Sequence, residues 1–105
     1  MKHVTNQKAL ITGITGQDGA YLSRLLLENR YEVHGLVRRC SSDNTRNLRE
    51  FLGSDFKRLT LHNGDMTDTT SLLRVIERVE PNEVYIVMLI QTLVLNSPEL
   101  FGWLD

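Results

Sequence analysis

An α/β fold, built as the N-terminal half of a doubly wound parallel sheet and incomplete as such, is the class this sequence predicts. Three observations lead there. Short apolar, β-branched runs alternate along the chain with stretches of helical periodicity. A glycine-rich turn, Gly13-Ile14-Thr15-Gly16-Gln17-Asp18-Gly19, joins the first such run to the first helical stretch. The length, 105 residues, suits a single domain with a modest core. Strands separated by helices imply parallel pairing and right-handed crossovers.

The elements follow in order. Lys8 to Thr12 is short, apolar and β-branched and stops at a glycine, so it predicts a buried strand. Gln17 to Arg30 predicts a helix whose apolar stripe is Tyr21, Leu22, Leu25, Leu26 and Leu27, with Arg24 and Glu28 paired on the solvent side. Tyr31 to Val37 is a second strand, Arg38 to Asn44 a polar loop, and Leu48 to Leu52 a short helix. Lys57 to His62 alternates and runs into Asn63-Gly64, which marks a third strand ending in a turn. Asp68 or Thr69 caps a helix over Thr70 to Val79 that buries Leu72, Leu73, Val75, Ile76 and Val79, and Pro81 ends it. Glu83 to Leu89 lacks period-two alternation, as a strand covered on both faces does. Ile90 to Asn96 either extends that strand or begins an irregular apolar tail, and Ser97 caps a helix from Pro98. Residues 1–105 thus form a partial nucleotide-binding domain, with 86–105 as its diverged or irregular end. The outermost strand is left without a neighbour, so self-association or docking through an exposed sheet edge is expected, with Val84 to Leu95 as the aggregation-prone stretch.

Composition narrows the function classes. Twelve basic residues against thirteen acidic ones leave a net charge of -1, which argues against a nucleic-acid partner. The single cysteine, Cys40, has no disulfide partner within the chain, and with His3, His34 and His62 it shows no metal-binding spacing. The longest apolar stretch is about half of the roughly twenty residues a bilayer span needs. No signal-peptide core follows the N-terminus, so a cytoplasmic protein without a membrane partner is expected.

The glycine turn carries the chemistry. Gly13 suits a turn requiring positive φ, Gly16 lets a pyrophosphate approach the backbone, and Gly19 lets the helix pack on the sheet. The helix that follows presents free N–H groups and the positive end of its dipole to phosphate. The same glycines also serve as ordinary turn residues in many loops; the strand before and the helix after favour the nucleotide reading. The spacing is Gly-x-x-Gly-x-x-Gly, and no Gly-Lys-Ser/Thr of a phosphate-binding NTPase loop follows. The second strand ends in Arg38-Arg39, with no acid before Asp43. Guanidinium groups form bidentate bonds to phosphate, so NADP is preferred over NAD; the alternative is a solvated basic loop. Asp65 either accepts from the adenine amine or serves the turn before the third helix. His34 and His62 read as structural or surface residues. Asp18 suits the first turn of its helix.

The run from Ala9 through Gly13-Ile14-Thr15-Gly16-Gln17-Asp18-Gly19 to Leu22 resembles the start of the GDP-mannose 4,6-dehydratases, extended short-chain dehydrogenase/reductases of Rossmann type. The resemblance continues through Tyr31 to Arg39, Ser41-Ser42, Asn63 to Asp68 and Pro81 to Tyr85, about the first 85 residues. It implies that Gly13, Gly16 and Gly19 hold the pyrophosphate of NADP and that Thr15, Gln17 and Asp18 line the cofactor. It also implies that Arg38, with Arg39 and Ser41 beside it, takes the 2'-phosphate, while Asp65 and Met66 contact the adenine. The family's reaction converts GDP-mannose to GDP-4-keto-6-deoxy-D-mannose by oxidation at C4, loss of water across C5 and C6, and return of the hydride at C6. Two departures stand out. Where the family reads Asn-Leu-Ala-Ala-Gln-Ser, this chain has Ile86-Val87-Met88-Leu89-Ile90-Gln91-Thr92. The family's catalytic Thr/Ser, Glu, Tyr and Lys lie beyond the first hundred residues, and Tyr21, Tyr31 and Tyr85 are followed four positions on by Leu25, Gly35 and Leu89. No catalytic residue is therefore assigned; the chain is expected to be inactive alone, either as the truncated, cofactor-binding end of a dehydratase, or as a catalytically empty nucleotide-binding or vestigial protein, or as a partner docking on a full-length dehydratase.

Overall fold

The computed structural model describes residues 7–38, 45–65, 67–87 and 92–96. Five strands form one sheet: β1 (Lys8–Thr12), β2 (Glu32–Val37), β3 (Leu59–Asn63), β4 (Glu83–Val87) and β5 (Thr92–Asn96). Their spatial order is β3-β2-β1-β4-β5, with the first four parallel. Helix α1 (Gln17–Glu28) links β1 to β2, α2 (Arg46–Leu52) and a 3₁₀ turn (Gly53–Arg58) link β2 to β3, and α3 (Thr69–Val79) links β3 to β4.

The parallel strands carry side chains into two separate cores, one on each face. Ala9, Ile11, Val33 and Val37 meet Ala20, Leu26 and Leu27 of α1 and Leu48 and Leu52 of α2. Leu10, Leu36, Val84 and Ile86 meet Leu72, Val75, Ile76 and Val79 of α3. Adjacent residues of β1 thus point to opposite cores, which is why Ala9, Leu10 and Ile11 are all apolar. The order reverses between β1, whose chain turns toward β2, and β4. Ligands of open α/β sheets bind at the carboxyl ends of strands at such a switch point.

The helices depart from the simplest reading of their apolar stripes. In α1 the buried residues are Gly19, Ala20, Ser23, Leu26 and Leu27, while Tyr21 and Leu25 are more than half exposed. The stripe is rotated because Gly19 and Ala20 allow the helix to lie close to the sheet, and the Ser23 hydroxyl is satisfied by the Ala20 carbonyl at 2.7 Å. Arg24 reaches across to α2: its guanidinium lies 4.3 Å from the Phe51 ring centre and donates to the Phe51 carbonyl at 3.3 Å. Helix α1 ends at Glu28, two residues earlier than expected, because Arg30 turns left-handed with φ of 66°. Strand β3 starts at Leu59, because Lys57 and Arg58 belong to the 3₁₀ turn. The Asp68 carboxylate caps α3, accepting from the N–H groups of Thr70 and Ser71.

The C-terminal reading needs a larger correction. Thr92–Asn96 neither extends β4 nor is irregular. It runs back antiparallel to β4, Glu83 opposite Asn96 and Val87 opposite Thr92. The edge of β4 that the sequence leaves bare is therefore covered, and the outer side of the sheet becomes β5. The expected helix from Pro98 lies outside the described residues. No helix among the described residues is long and apolar enough to cross a membrane.

Candidate functional site

The turn after β1 is built from contacts that its glycines permit. Gly13 has φ of 69°, a conformation that side chains disfavour. Its carbonyl accepts the Gly16 N–H at 3.1 Å, which closes the turn. A Cβ on Gly19 would lie 2.3 Å from that carbonyl and 2.6 Å from the Ile14 Cα, so α1 can sit on the turn only with glycine there. Gly16 differs. A Cβ there would meet the Gly13 carbonyl at an ordinary 3.5 Å, so the fold itself tolerates one. Gly16 is the N-cap of α1 and carries no side chain to cap it, and the first N–H groups of a helix have no partner within it. The result is a helix end without a side-chain cap, with exposed Gln17 and Asp18 in the first turn.

Ile14, inside the turn, is fully buried and packs over Gly35 in the middle of β2. The sequence alone gives Ile14 no such role. The available signal was an isoleucine flanked by glycine-rich polar residues, opposite a glycine in a neighbouring strand. Thr12 is a second such residue. Its buried hydroxyl accepts from the Val87 N–H at 3.3 Å, which ties the end of β4 to the end of β1.

A cavity of about 380 Å³ opens at the carboxyl ends of the parallel strands. Gly13 and Thr15 form its floor, Arg38 and Asp65 stand on the β2–β3 side, and Ile86 and Val87 form the β4 side. Asp65 Oδ1 accepts from the Thr67 N–H at 2.9 Å and the Thr67 hydroxyl at 2.8 Å. These two bonds, with the Arg38 guanidinium adding to them, hold its carboxyl below the usual aspartate value. The Asp65 N–H donates to Ser71 Oγ at 3.2 Å and the Gly64 N–H to the Val37 carbonyl at 3.1 Å, so this wall is anchored to α3 and β2. Asp65 thus serves the turn and also faces the cavity.

The sequence-derived residues divide accordingly. Gly13, Thr15, Arg38 and Asp65 line one cavity. Gly16 and Gln17 line a neighbouring one of about 390 Å³, shared with Thr15 and bounded by Tyr21, Asn47 and Phe51. Gly19 is buried in the helix contact, and Asp18 is exposed at the helix start. Arg39, Ser41 and Met66 lie outside the described residues, as do Met88 and Leu89. His34 and His62 are not at the cavity: they form a buried pair on the α3 face. The Tyr85 phenol donates to Glu83 at 2.9 Å, and burial followed by this carboxylate pushes its pKa further up. Tyr31 is raised by the same two causes. Neither phenol is prepared to act as a base. Among the described residues no group of acids, histidines or cysteines is arranged to hold a metal.

Residues 10–87 match the family model described as GDP-mannose 4,6 dehydratase. The chain is 54% identical over 82 residues to a GDP-mannose 4,6 dehydratase of Drosophila melanogaster, covering 73% of this chain and 20% of that protein. It is 51% identical over 84 residues to the enzyme of that name from Homo sapiens, covering 73% and 22%. With the one from Sinorhizobium fredii it shares 49% over 86 residues, covering 78% and 24%. The chain therefore spans between a fifth and a quarter of the length of these relatives. Among solved structures it is similar to the Bordetella bronchiseptica enzyme WbmH in complex with NAD+, with a TM-score of 0.61, 30% identity, and coverage of 80% of this chain and 26% of that one. An isoflavone reductase shares the fold, with a TM-score of 0.64 over 83% of this chain and 28% of that one.

Proposed function

This chain belongs to the GDP-mannose 4,6-dehydratase family, and on that premise we propose that its cavity holds the adenosine half of NADP. Gly16 carries the proposal. It is a glycine that packing does not require, placed at the helix end where a side chain would stand between phosphate and the free N–H groups. In this reading the start of α1 takes the pyrophosphate, Arg38 the 2'-phosphate and Asp65 the adenine amine. The relative WbmH, solved with NAD+, supports a nicotinamide cofactor for this fold. Arg38 at the end of β2 favours the phosphorylated form, since no carboxylate stands there to take ribose hydroxyls.

When bound, the cofactor supplies hydride acceptance and return. The chain's own residues bind and orient it and do no more. Its 105 residues contain no tyrosine followed four positions later by lysine, and the Tyr31 and Tyr85 phenols are held protonated beside Glu83. The conversion of GDP-mannose to GDP-4-keto-6-deoxy-D-mannose therefore needs residues this chain does not carry, and the purified 105 residues are expected to bind NADP weakly and to turn over no GDP-mannose.

Titration of the labelled chain with NADP+ and NAD+, followed by amide NMR shifts, tests the reading. NADP+ should bind about tenfold more tightly, a difference of about 1.4 kcal/mol. Shifts should centre on Gly13, Gly16, Gly19 and Asp65, and Arg38→Gln should abolish the preference while leaving NAD+ binding unchanged. Equal affinity of the two cofactors for the unaltered chain would remove the NADP assignment. Absence of shifts with either would remove the site.

A further inference from the structure

The proposed cofactor site leaves unused a line of four titratable or charged side chains on the α3 face of the sheet. Glu32 and His34 lie two apart on β2, His62 is on β3 and Arg78 on α3. In the β2–β3 register His34 faces Thr60 and His62 faces Leu36, so the two histidines are diagonal neighbours on one face. Their rings stack with centres 5.1 Å apart, and His34 Nδ1 lies 2.9 Å from His62 Nε2. At one end His34 Nε2 is 2.6 Å from Glu32 Oε2, and at the other Arg78 Nη1 is 3.5 Å from His62 Nδ1. Both imidazoles are at least nine-tenths buried.

The ends determine where the protons sit. A carboxylate only accepts and a guanidinium only donates. Arg78 must donate to a bare His62 Nδ1, so the His62 proton is on Nε2 and is given to a bare His34 Nδ1. The His34 proton is then on Nε2 and is given to Glu32. All three bonds then run in one direction, from cation to carboxylate. One further proton cannot enter without breaking this line. Placed on His34 Nδ1, it makes His34 cationic beside Glu32 and reverses the central bond, so that His62 accepts at Nε2 and carries its own proton on Nδ1. That N–H now faces the N–H of Arg78, and the longest bond of the line is lost.

We propose that Glu32, His34, His62 and Arg78 form a proton-operated latch that fastens α3 to the outer parallel strand of the sheet and releases Arg78 when one proton is taken up. Burial, then the charges of His34 and Arg78, hold the His62 pKa below the usual histidine value, in keeping with a His62 that is neutral and accepts from Arg78. The groups facing the pair are Glu32 from β2 and Arg78 from α3. β3 is held by a strand on one side only, and it leads through Asn63 and Gly64 into the cavity wall at Asp65, so loosening α3 from β3 loosens that wall.

The test needs neither cofactor nor substrate. Long-range ¹H–¹⁵N spectra of the full chain report which ring nitrogen of each histidine bears the proton. Near pH 8 both His34 and His62 should be Nε2–H tautomers, and on acidification His62 should pass to the Nδ1–H form as His34 gains its second proton. Amide exchange at Leu61, Gly64 and Asp65, corrected for its intrinsic pH dependence, should rise about tenfold over the same interval. In Arg78→Met the exchange should already be fast near pH 8 and the His62 tautomer mixed. A Nδ1–H tautomer of His62 in the unaltered chain near pH 8 would overturn the proposal, and so would titration of the two histidines with no change in exchange. Both readouts come from the unaltered chain, so they stand even if the variant fails to fold.

Discussion

Gly16 and Gly19 lie three residues apart in one turn and are glycine for opposite reasons. Gly19 is demanded from inside, where a Cβ would overlap the Gly13 carbonyl and the Ile14 backbone. Gly19→Ala should therefore cost about 3 kcal/mol, the upper end for overpacking against atoms that cannot move aside, measured by urea unfolding. Gly16→Ala should unfold within about 1 kcal/mol of the original chain and yet lose NADP binding. An equal loss of stability in both variants would contradict this division. The spacing of the three glycines was legible in the sequence, and so was their position at a strand–helix junction. The assignment of Gly19 to helix packing was legible too; how closely α1 rests on the turn, with a Gly19 Cβ only 2.3 Å from the Gly13 carbonyl, was not. Asp65 shows the same limit. Its two readings, turn residue and ligand contact, were both visible in Asn63-Gly64-Asp65, and the structure finds the carboxylate bonded to Thr67 while still facing the cavity.

Among the elements, those defined by local signals were read most accurately. β1 has the bounds its apolar run predicts, and α3 begins where Asp68 caps it. Removing that cap by Asp68→Ala should cost about 1 kcal/mol, visible as a lower unfolding midpoint with an unchanged slope. The apolar face of α1 was misjudged because leucines occur on more of its circumference than the sheet can cover, and Gly19 and Ala20 decide which side goes down. His34 and His62 read singly as structural residues, and their pairing depends on the β2–β3 register, which the sequence does not display. That pairing has a consequence for stability. The His62 pKa is lowered in the folded chain, so the unfolded chain takes up the proton first as pH falls. Stability should be level above about pH 6.5 and should decline as pH falls from that value through the lower folded pKa. In His62→Asn this decline should be smaller. A second loss, from Asp65, belongs below the ordinary aspartate value, because its pKa is also lowered and protonation removes the Thr67 bonds. Urea midpoints between about pH 8 and about pH 2 separate the two windows.

At the scale of the whole sheet, the five strands and three α-helices among the described residues divide the apolar side chains into two cores, and the cavity lies at the switch point between β1 and β4. Among the described residues the antiparallel β5 is the outermost strand on the β4 side, and Val94 on it is 45% exposed. Edge strands with apolar, uncharged faces invite pairing between copies. Val94→Lys should leave the circular dichroism unchanged and reduce concentration-dependent association in light scattering; identical size distributions before and after the change would remove this edge as the contact. What the sequence by itself determined was the class of fold, the order of its parallel elements, the family and the glycine turn between β1 and α1. All of these rest on periodicity, caps and a short contiguous string, which are properties of neighbouring residues. What only the tertiary structure decided was the return of β5 along β4, the pairing of His34 with His62, and how closely α1 rests on Gly13 and Ile14. Each depends on residues distant in the chain meeting at a few ångströms, and the distances across a turn or between strands are set by the packing of the whole sheet.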